Sequence, residues 1–260
     1  MGQTGVCSPL ICDYLEEKPA LKSFYHRIPS IANFKLQFAE KQLHFPKENR
    51  QLMVKALRQQ YATTEVPAEV ASNLELLSQD NTFTVTTGHQ LNLFTGPLYF
   101  MYKIAATIKL VSQLKEAYPE ANFIPMYWMA TEDHDFEEIN YFNFNGQKIQ
   151  WAQDKGCAVG RLTTAGLEEV LEVFSSQLGT TLSANNLTSL FTKAYLENDT
   201  LTEATRYLVN ELFGALGLVI IDGDDALLKQ GLIPYMQEDI FRNTPFHKVN
   251  ESIDALSKVS

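Results

Sequence analysis

The spacing of apolar positions predicts a helical opening followed by strands that alternate with amphipathic helices. Residues 13–79 read as largely helical, with breaks at Pro19, Pro29, Pro46 and Pro67. Within them, residues 48–61 carry Leu52, Ala56 and Leu57 at helical spacing with Lys55, Arg58 and Gln59 outside, so one face is expected on a core. The β-rich run Phe83-Thr84-Val85-Thr86-Thr87 stops at Gly88-His89-Gln90, and Phe94-Thr95-Gly96-Pro97 makes a turn. Beyond it Leu98, Met101, Tyr102, Ala105, Ile108, Val111 and Leu114 recur at steps of three and four, which predicts a long helix with Pro97 in its first turn. Residues 123–130 are apolar almost throughout, as a strand covered on both faces would be. Strand, helix and buried strand in succession make a right-handed parallel unit the expectation.

Asp135 followed by Glu138 fits a capping box for a helix over residues 136–140. Residues 142–151 alternate around Asn145-Gly146, a hairpin signature. The character changes over residues 152–198, which read as an inserted subdomain with two helices. The α/β pattern then resumes: Thr200 with Glu203 is a second capping box, Leu218-Val219-Ile220-Ile221 a third buried strand, and Asp222-Gly223-Asp224-Asp225 its turn. A helix over residues 227–242 is disturbed by Gly231 and Pro234, and residues 249–259 keep a helical pattern with no stop signal, as in a chain cut from a longer protein. The expected division is residues 1–151 for the N-terminal helices and first part of an α/β core, 152–198 for the insertion, and 199–260 for the continuation of the core.

In open α/β sheets, ligands bind at the carboxyl ends of strands beside helix N-termini. Gly88 and Gly96 suit either a phosphate or carboxylate cradle or plain tight turns. Capping accounts for Asp135 but not for Glu132, Asp133 and His134. Ionisable groups crowded at the end of a buried strand are costly without a ligand, metal or proton-transfer task. Three consecutive residues cannot all point at one metal and no second cluster lies nearby, so a dedicated zinc site is not expected; magnesium carried in with a nucleotide is compatible. Asp222 joins the site from the third strand, or else Asp222 or Asp225 merely caps the next helix, and Arg161 either reaches an anionic ligand or makes a surface salt bridge. Phe24-Tyr25-His26-Arg27, with Tyr14, either line a pocket or form a half-buried helix end.

Charge and cysteine content narrow the classes. The 260 residues carry 21 basic and 31 acidic side chains, a net charge of −10, with the basic residues scattered, which argues against a nucleic-acid surface. Cys7, Cys12 and Cys157 are odd in number and lack metal-ligand spacing, as in a reducing compartment. The N-terminus lacks a signal-peptide pattern, Val6 fails the myristoylation pattern, and no apolar run approaches the ~20 residues of a membrane span. A cytoplasmic protein without membrane partners is the expectation.

Thr87-Gly88-His89-Gln90, Leu93-Phe94-Thr95-Gly96-Pro97-Leu98-Tyr99 with Lys103, and Trp128-Met129-Ala130-Thr131-Glu132-Asp133-His134-Asp135-Phe136 with Glu138-Ile139-Asn140 resemble the bacillithiol biosynthesis cysteine-adding enzymes, a family of cysteine ligases. Phe24-Tyr25-His26-Arg27, Val159-Gly160-Arg161 and Leu218-Val219-Ile220-Ile221-Asp222 resemble it in the same order. The resemblance implies a Rossmann-like core related to class I aminoacyl-tRNA synthetases, connecting subdomains, and a C-terminal coiled coil through which the full-length protein forms a homodimer. It also implies the reaction: the carboxyl of L-cysteine joined to the amine of glucosaminyl malate. His89 departs from the Gln of many members, and family members are longer. Amide formation needs an activated acyl group, and an adenylate made from ATP is the activation used on related folds, so ATP with magnesium is the expected cosubstrate. On that reading Gly88, Thr95 and Gly96 hold phosphates, while His89, Gln90 and Lys103 offset their charge. His134 is general base with Asp133 or Asp135 orienting it, and Glu132, Arg161 and Asp222 contact nucleotide or substrate. The alternatives are a nucleotidyltransferase or metal-dependent hydrolase on the same fold, or a binding protein that has lost its chemistry.

Overall fold

A computed structural model describes residues 5–153 and 156–259. They fall into two compact units, one of residues up to Leu43 together with those from Gln230, the other of His44–Lys229. No helix among the described residues is long and apolar enough to cross a membrane.

The first unit is helical. Helix α1 (Pro9–Leu15) is capped by Ser8, and a 3₁₀ turn (Pro19–Phe24) leads to α2 (Ile31–His44). Arg27 donates to Gln37 and, at 2.6 Å, to Glu40, and His26 Nε2 lies 2.9 Å from Glu40. Hydrogen bonds from His26 and then Arg27 hold the Glu40 carboxyl at about 2. Tyr25 meets Tyr14 edge to face. The Tyr-His-Arg motif is therefore a clasp on α2. Helices α11 (Ile233–Arg242) and α12 (Thr244–Leu256) complete the unit. The long C-terminal helix expected from the pattern is two helices, α10 (Ala226–Gln230) and α11, because Pro234 takes the first turn of the second.

The second unit is α/β. Strands β1 (Thr82–His89), β2 (Asn122–Met129) and β5 (Val219–Asp222) form a parallel sheet in the order β1-β2-β5. β2 is buried nearly throughout, as its unbroken apolar run predicts. Helix α5 (Leu98–Ala117) crosses from β1 to β2 and packs on both, whereas α3 (Lys47–Gln60), α4 (Ala68–Leu76) and α9 (Leu201–Phe213) pack on β5. The buried face of α5 is Phe100, Ile104, Thr107, Val111 and Leu114, not the face containing Leu98, Tyr102 and Ala105, which are exposed. Residues 98–102 are five large apolar or aromatic side chains in a row, so periodicity there has no phase and the sheet chooses the face. Pro97 sits at the N-cap, one position before the first turn.

Between β2 and β5, the short α6 (Phe136–Ile139) leads into a hairpin of β3 (Tyr141–Phe144) and β4 (Gln147–Gln150). Asn145 and Gly146 both have positive φ, the requirement of the two-residue turn. Helices α7 (Leu167–Leu178) and α8 (Leu182–Leu196) then pack in sequence toward α9, whose Thr200–Glu203 capping box forms as predicted. Phe142 of β3, Phe174 of α7 and Phe191 and Tyr195 of α8 gather around Phe94, tying this segment to the loop after β1.

Candidate functional site

The parallel register sets His89, Met129 and Asp222 abreast, so three strands deliver their carboxyl ends to one edge. From β1 comes Gln90. Its Nε2 donates to Asp133 Oδ2 at 2.9 Å and to Glu138 Oε2 at 2.8 Å. The other oxygen of Asp133 accepts the amides of His134 and Asp135 at 2.6 and 3.2 Å. Burial alone would raise the Asp133 carboxyl, but these three hydrogen bonds outweigh it and hold it below its ordinary range. Asp133 is thus a fixed anion that locks the turn. The capping box read from Asp135 and Glu138 does not form: Asp135 occupies the N-cap position without a side-chain cap bond, and Glu138 is taken by Gln90. The His134 side chain is exposed, and among the described residues its ring makes no hydrogen bond to Asp133 or Asp135.

Thr131, fully buried, links β2 to β5. Its hydroxyl donates to Asp222 Oδ1 and accepts the Asp224 amide at 2.9 Å, and its carbonyl accepts the Gly160 amide at 3.0 Å. The Asp222 amide donates to Gln60 Oε1. Asp225, not Asp222, caps the following helix, through the Leu228 amide. Glu132 accepts from Trp128 Nε1 at 3.2 Å with one oxygen; the other is sealed over Gly223 and has no partner.

His89 is buried, stacked on Tyr99 at 5.1 Å and edge-on to Phe100, with Nε2 unpartnered. Burial, then the nearby Lys103 charge, push its pKa down, so it is a neutral imidazole at physiological pH. Lys103 reaches back to the strand end, its ammonium donating to the Gly88 carbonyl at 2.5 Å. The loop into α5 is unusual: Phe94, Thr95 and Gly96 have φ of 51°, 72° and 58° in succession. Two non-glycine residues in that region cost about 1–3 kcal/mol each. They are held by the aromatic cluster and by the Phe94 amide, which donates to Tyr195 Oη at 2.9 Å. Gly96 is required twice, by its φ and because a Cβ there would run into Asn92.

Arg161 makes the surface salt bridge, not a free anion site. Nε and Nη2 both reach Asp224, at 2.5 and 3.1 Å, and Lys229 joins the same carboxylate. Burial would raise Asp224, but these cations hold its pKa down. Of these partners, Thr131, Glu138 and Asp224 lie within stretches read from the sequence, Glu138 as half of a capping box, whereas Gln60 and Tyr195 were not singled out as site residues. On the β5 side, a cleft of about 910 Å³ opens beside Asp222, walled by Gln60, Glu65, Glu203, Arg206 and Asn210 among others. No three His, Cys, Asp or Glu side chains among the described residues gather as metal ligands.

A parallel strand-helix-strand unit with polar groups gathered at the strand ends, beside the crossover helix's N-terminus, defines a Rossmann-like ligand-binding domain. The chain belongs to the BshC family: residues 2–260 match the family model described as the N-terminal Rossmann-like domain of bacillithiol biosynthesis BshC. Relatives bearing the name Putative cysteine ligase BshC include proteins of Flavobacterium johnsoniae (51% identical, 98% of this chain, 48% of the relative) and Flavobacterium psychrophilum (50%, 99% and 49%). A third, from Christiangramia forsetii, is 48% identical over 99% of this chain and 48% of its own length. The chain spans about half the length of these curated relatives.

Proposed function

We propose that the chain provides the activation site of a ligase that joins the carboxyl of L-cysteine to the amine of glucosaminyl malate in bacillithiol biosynthesis. The observation that carries this reading is the convergence of Gln90, Asp133, His134 and Asp222 on adjacent strand ends beside the start of α5, together with membership of a family whose relatives bear the cysteine ligase name. ATP would supply the energy by turning the cysteine carboxylate into an acyl adenylate. The residues fit an anion of that kind. The Leu98 and Tyr99 N–H groups at the start of α5 lie outside the helical ladder, that of Phe100 being bonded to the Pro97 carbonyl, and Lys103 is held beside Gly88 with no carboxylate partner among the described residues. Asp135 and the second oxygen of Asp222 accept no hydrogen bond among the described residues, so they are the groups that would take magnesium. His134, displayed outward by the Asp133 turn, would remove the proton from the attacking amine.

The test is product analysis of the full-length protein with cysteine, glucosaminyl malate and ATP. The reading expects the amide product with AMP and pyrophosphate, and a fall of about 10²–10⁴-fold in rate for His134→Ala. Amide formation without nucleotide cleavage would refute the adenylate, and a wild-type rate for the variant would refute the base. The full-length protein is expected to be a homodimer, which light scattering decides.

A further inference from the structure

Beneath the loop that joins β1 to α5 lies a cavity of about 10 Å³, walled by Gln90, Asn92, Thr95, Phe100, Tyr127 and Thr205 among others. That is the volume of about one water-sized sphere, and water enters such a space when polar partners line it. Two of the residues that line it carry a sealed polar atom without a partner among the described residues. Thr205, on α9, is nine-tenths buried with its hydroxyl sealed and unbonded. Asn92 uses its amide nitrogen on the Glu138 carbonyl at 3.3 Å, while its Oδ1 is sealed and unbonded. A buried hydroxyl and a buried amide oxygen on residues that line one small space, each unbonded, are desolvated with nothing gained.

We propose that this cavity is a binding site for a single internal water molecule that bridges α9 to the loop. The water accepts a hydrogen bond from the Thr205 hydroxyl and donates to Asn92 Oδ1, and the side-chain oxygens of Gln90 and Thr95, residues that also line the space, complete its shell. Thr95 lies within the left-handed run, and Gln90 orders Asp133 and Glu138. The water therefore links the packing of α9 to the conformation of the β1 exit. It does so whatever ligand the strand ends bind.

Crystal structures that resolve ordered solvent, for wild type, Thr205→Val and Thr205→Ser, test this together with hydrogen exchange of the amides of residues 92–96. The wild type and Thr205→Ser are expected to show one water within hydrogen-bond distance of both Asn92 Oδ1 and residue 205, and Thr205→Val to lose it. Exchange in the loop should quicken roughly three- to tenfold in Thr205→Val and stay at the wild-type rate in Thr205→Ser. A dry cavity in the wild type, density larger than one water, or a Thr205→Val protein matching wild type in both readouts would overturn the proposal. If Thr205→Val fails to fold, the wild-type and Thr205→Ser maps decide alone.

Discussion

Replacing Gly160 by alanine should damage the strand ends without touching any group assigned a chemical role. A Cβ at this position would lie 2.5 Å from Thr202 Oγ1, 2.6 Å from Thr131 Cβ and 3.0 Å from Thr131 Cα. The last two atoms belong to a fully buried residue at the exit of β2, so the strain cannot be relieved by rotating a side chain. Overpacking of this kind costs about 1–3 kcal/mol. Two hydrogen bonds are put at risk as well: the Gly160 amide to the Thr131 carbonyl at 3.0 Å, and Thr202 Oγ1 to the Gly160 carbonyl at 2.8 Å. Each contributes about 0.5–1.5 kcal/mol. The expected loss is about 2–6 kcal/mol, a fall in melting temperature of roughly 4–24 °C for a unit of this size. Urea unfolding of wild type, Gly160→Ala, Thr202→Ala and the double variant measures it. Thr202→Ala should recover only about 1 kcal/mol, since the Thr131 contacts persist. An unchanged midpoint for Gly160→Ala, or complete recovery in the double variant, would refute the assignment of the strain to Thr131.

Gln90→Leu removes the donor shared by Asp133 and Glu138, and its effect should depend on pH. The folded pKa of Asp133 lies below the unfolded value of 3.8, so the stabilisation is complete above that value and is lost as pH falls through the folded pKa. The variant should be less stable than wild type at neutral pH and converge on it in acid, read from urea midpoints across pH 7 to 2; a constant difference would show that Gln90 acts by packing alone. Arg206→Met tests the closed edge of β5. Arg206 is buried, donates to the Ile220 carbonyl and to Gln60 Oε1, both at 3.1 Å, and sits over the Tyr61 ring. Its loss leaves that carbonyl without the side-chain donor and should cost about 1–3 kcal/mol by chemical unfolding. Equal or greater stability would mean that relief of the buried charge outweighs the lost bonds.

The sheet was legible because its signal is local. Residues 123–130 and 218–221 are unbroken apolar runs, and strands of that kind are buried in parallel sheets. Helix phase and capping were not, for two different reasons. In α5 the apolar residues 98–102 fit several faces, and only contact with β1 and β2 selects Phe100 and Ile104. At the exit of β2, aspartate stands at both 133 and 135, and either could serve as a cap. Neither caps α6 through its side chain: Asp135 holds the N-cap position without a cap bond, and Asp133 instead bonds the amides of residues 134 and 135 while Gln90, 43 positions away, takes its other oxygen. A partner that distant leaves no trace in local spacing.

The candidate site follows the same division, and its charges show why the distant partners matter. Most of the motif residues were legible because they stand at or just after the end of a strand. What answers their charge was not, since it comes from other elements or from the backbone. Asp133 is met by Gln90 and two amides, Glu138 by Gln90, Glu132 by the Trp128 indole and Asp222 by Thr131, all neutral donors. The cations Arg161 and Lys229 are both consumed by Asp224. Lys103 is different: it bonds only a backbone carbonyl and forms no ion pair among the described residues. A carboxylate stabilised by neutral donors does not compete for an ammonium group as an ion pair would. If the strand ends take an anion as proposed, Lys103, near the start of α5 and bonded to the end of β1, is the cation among the described residues of this edge that would meet it, although its position along the helix gives no hint of that reach.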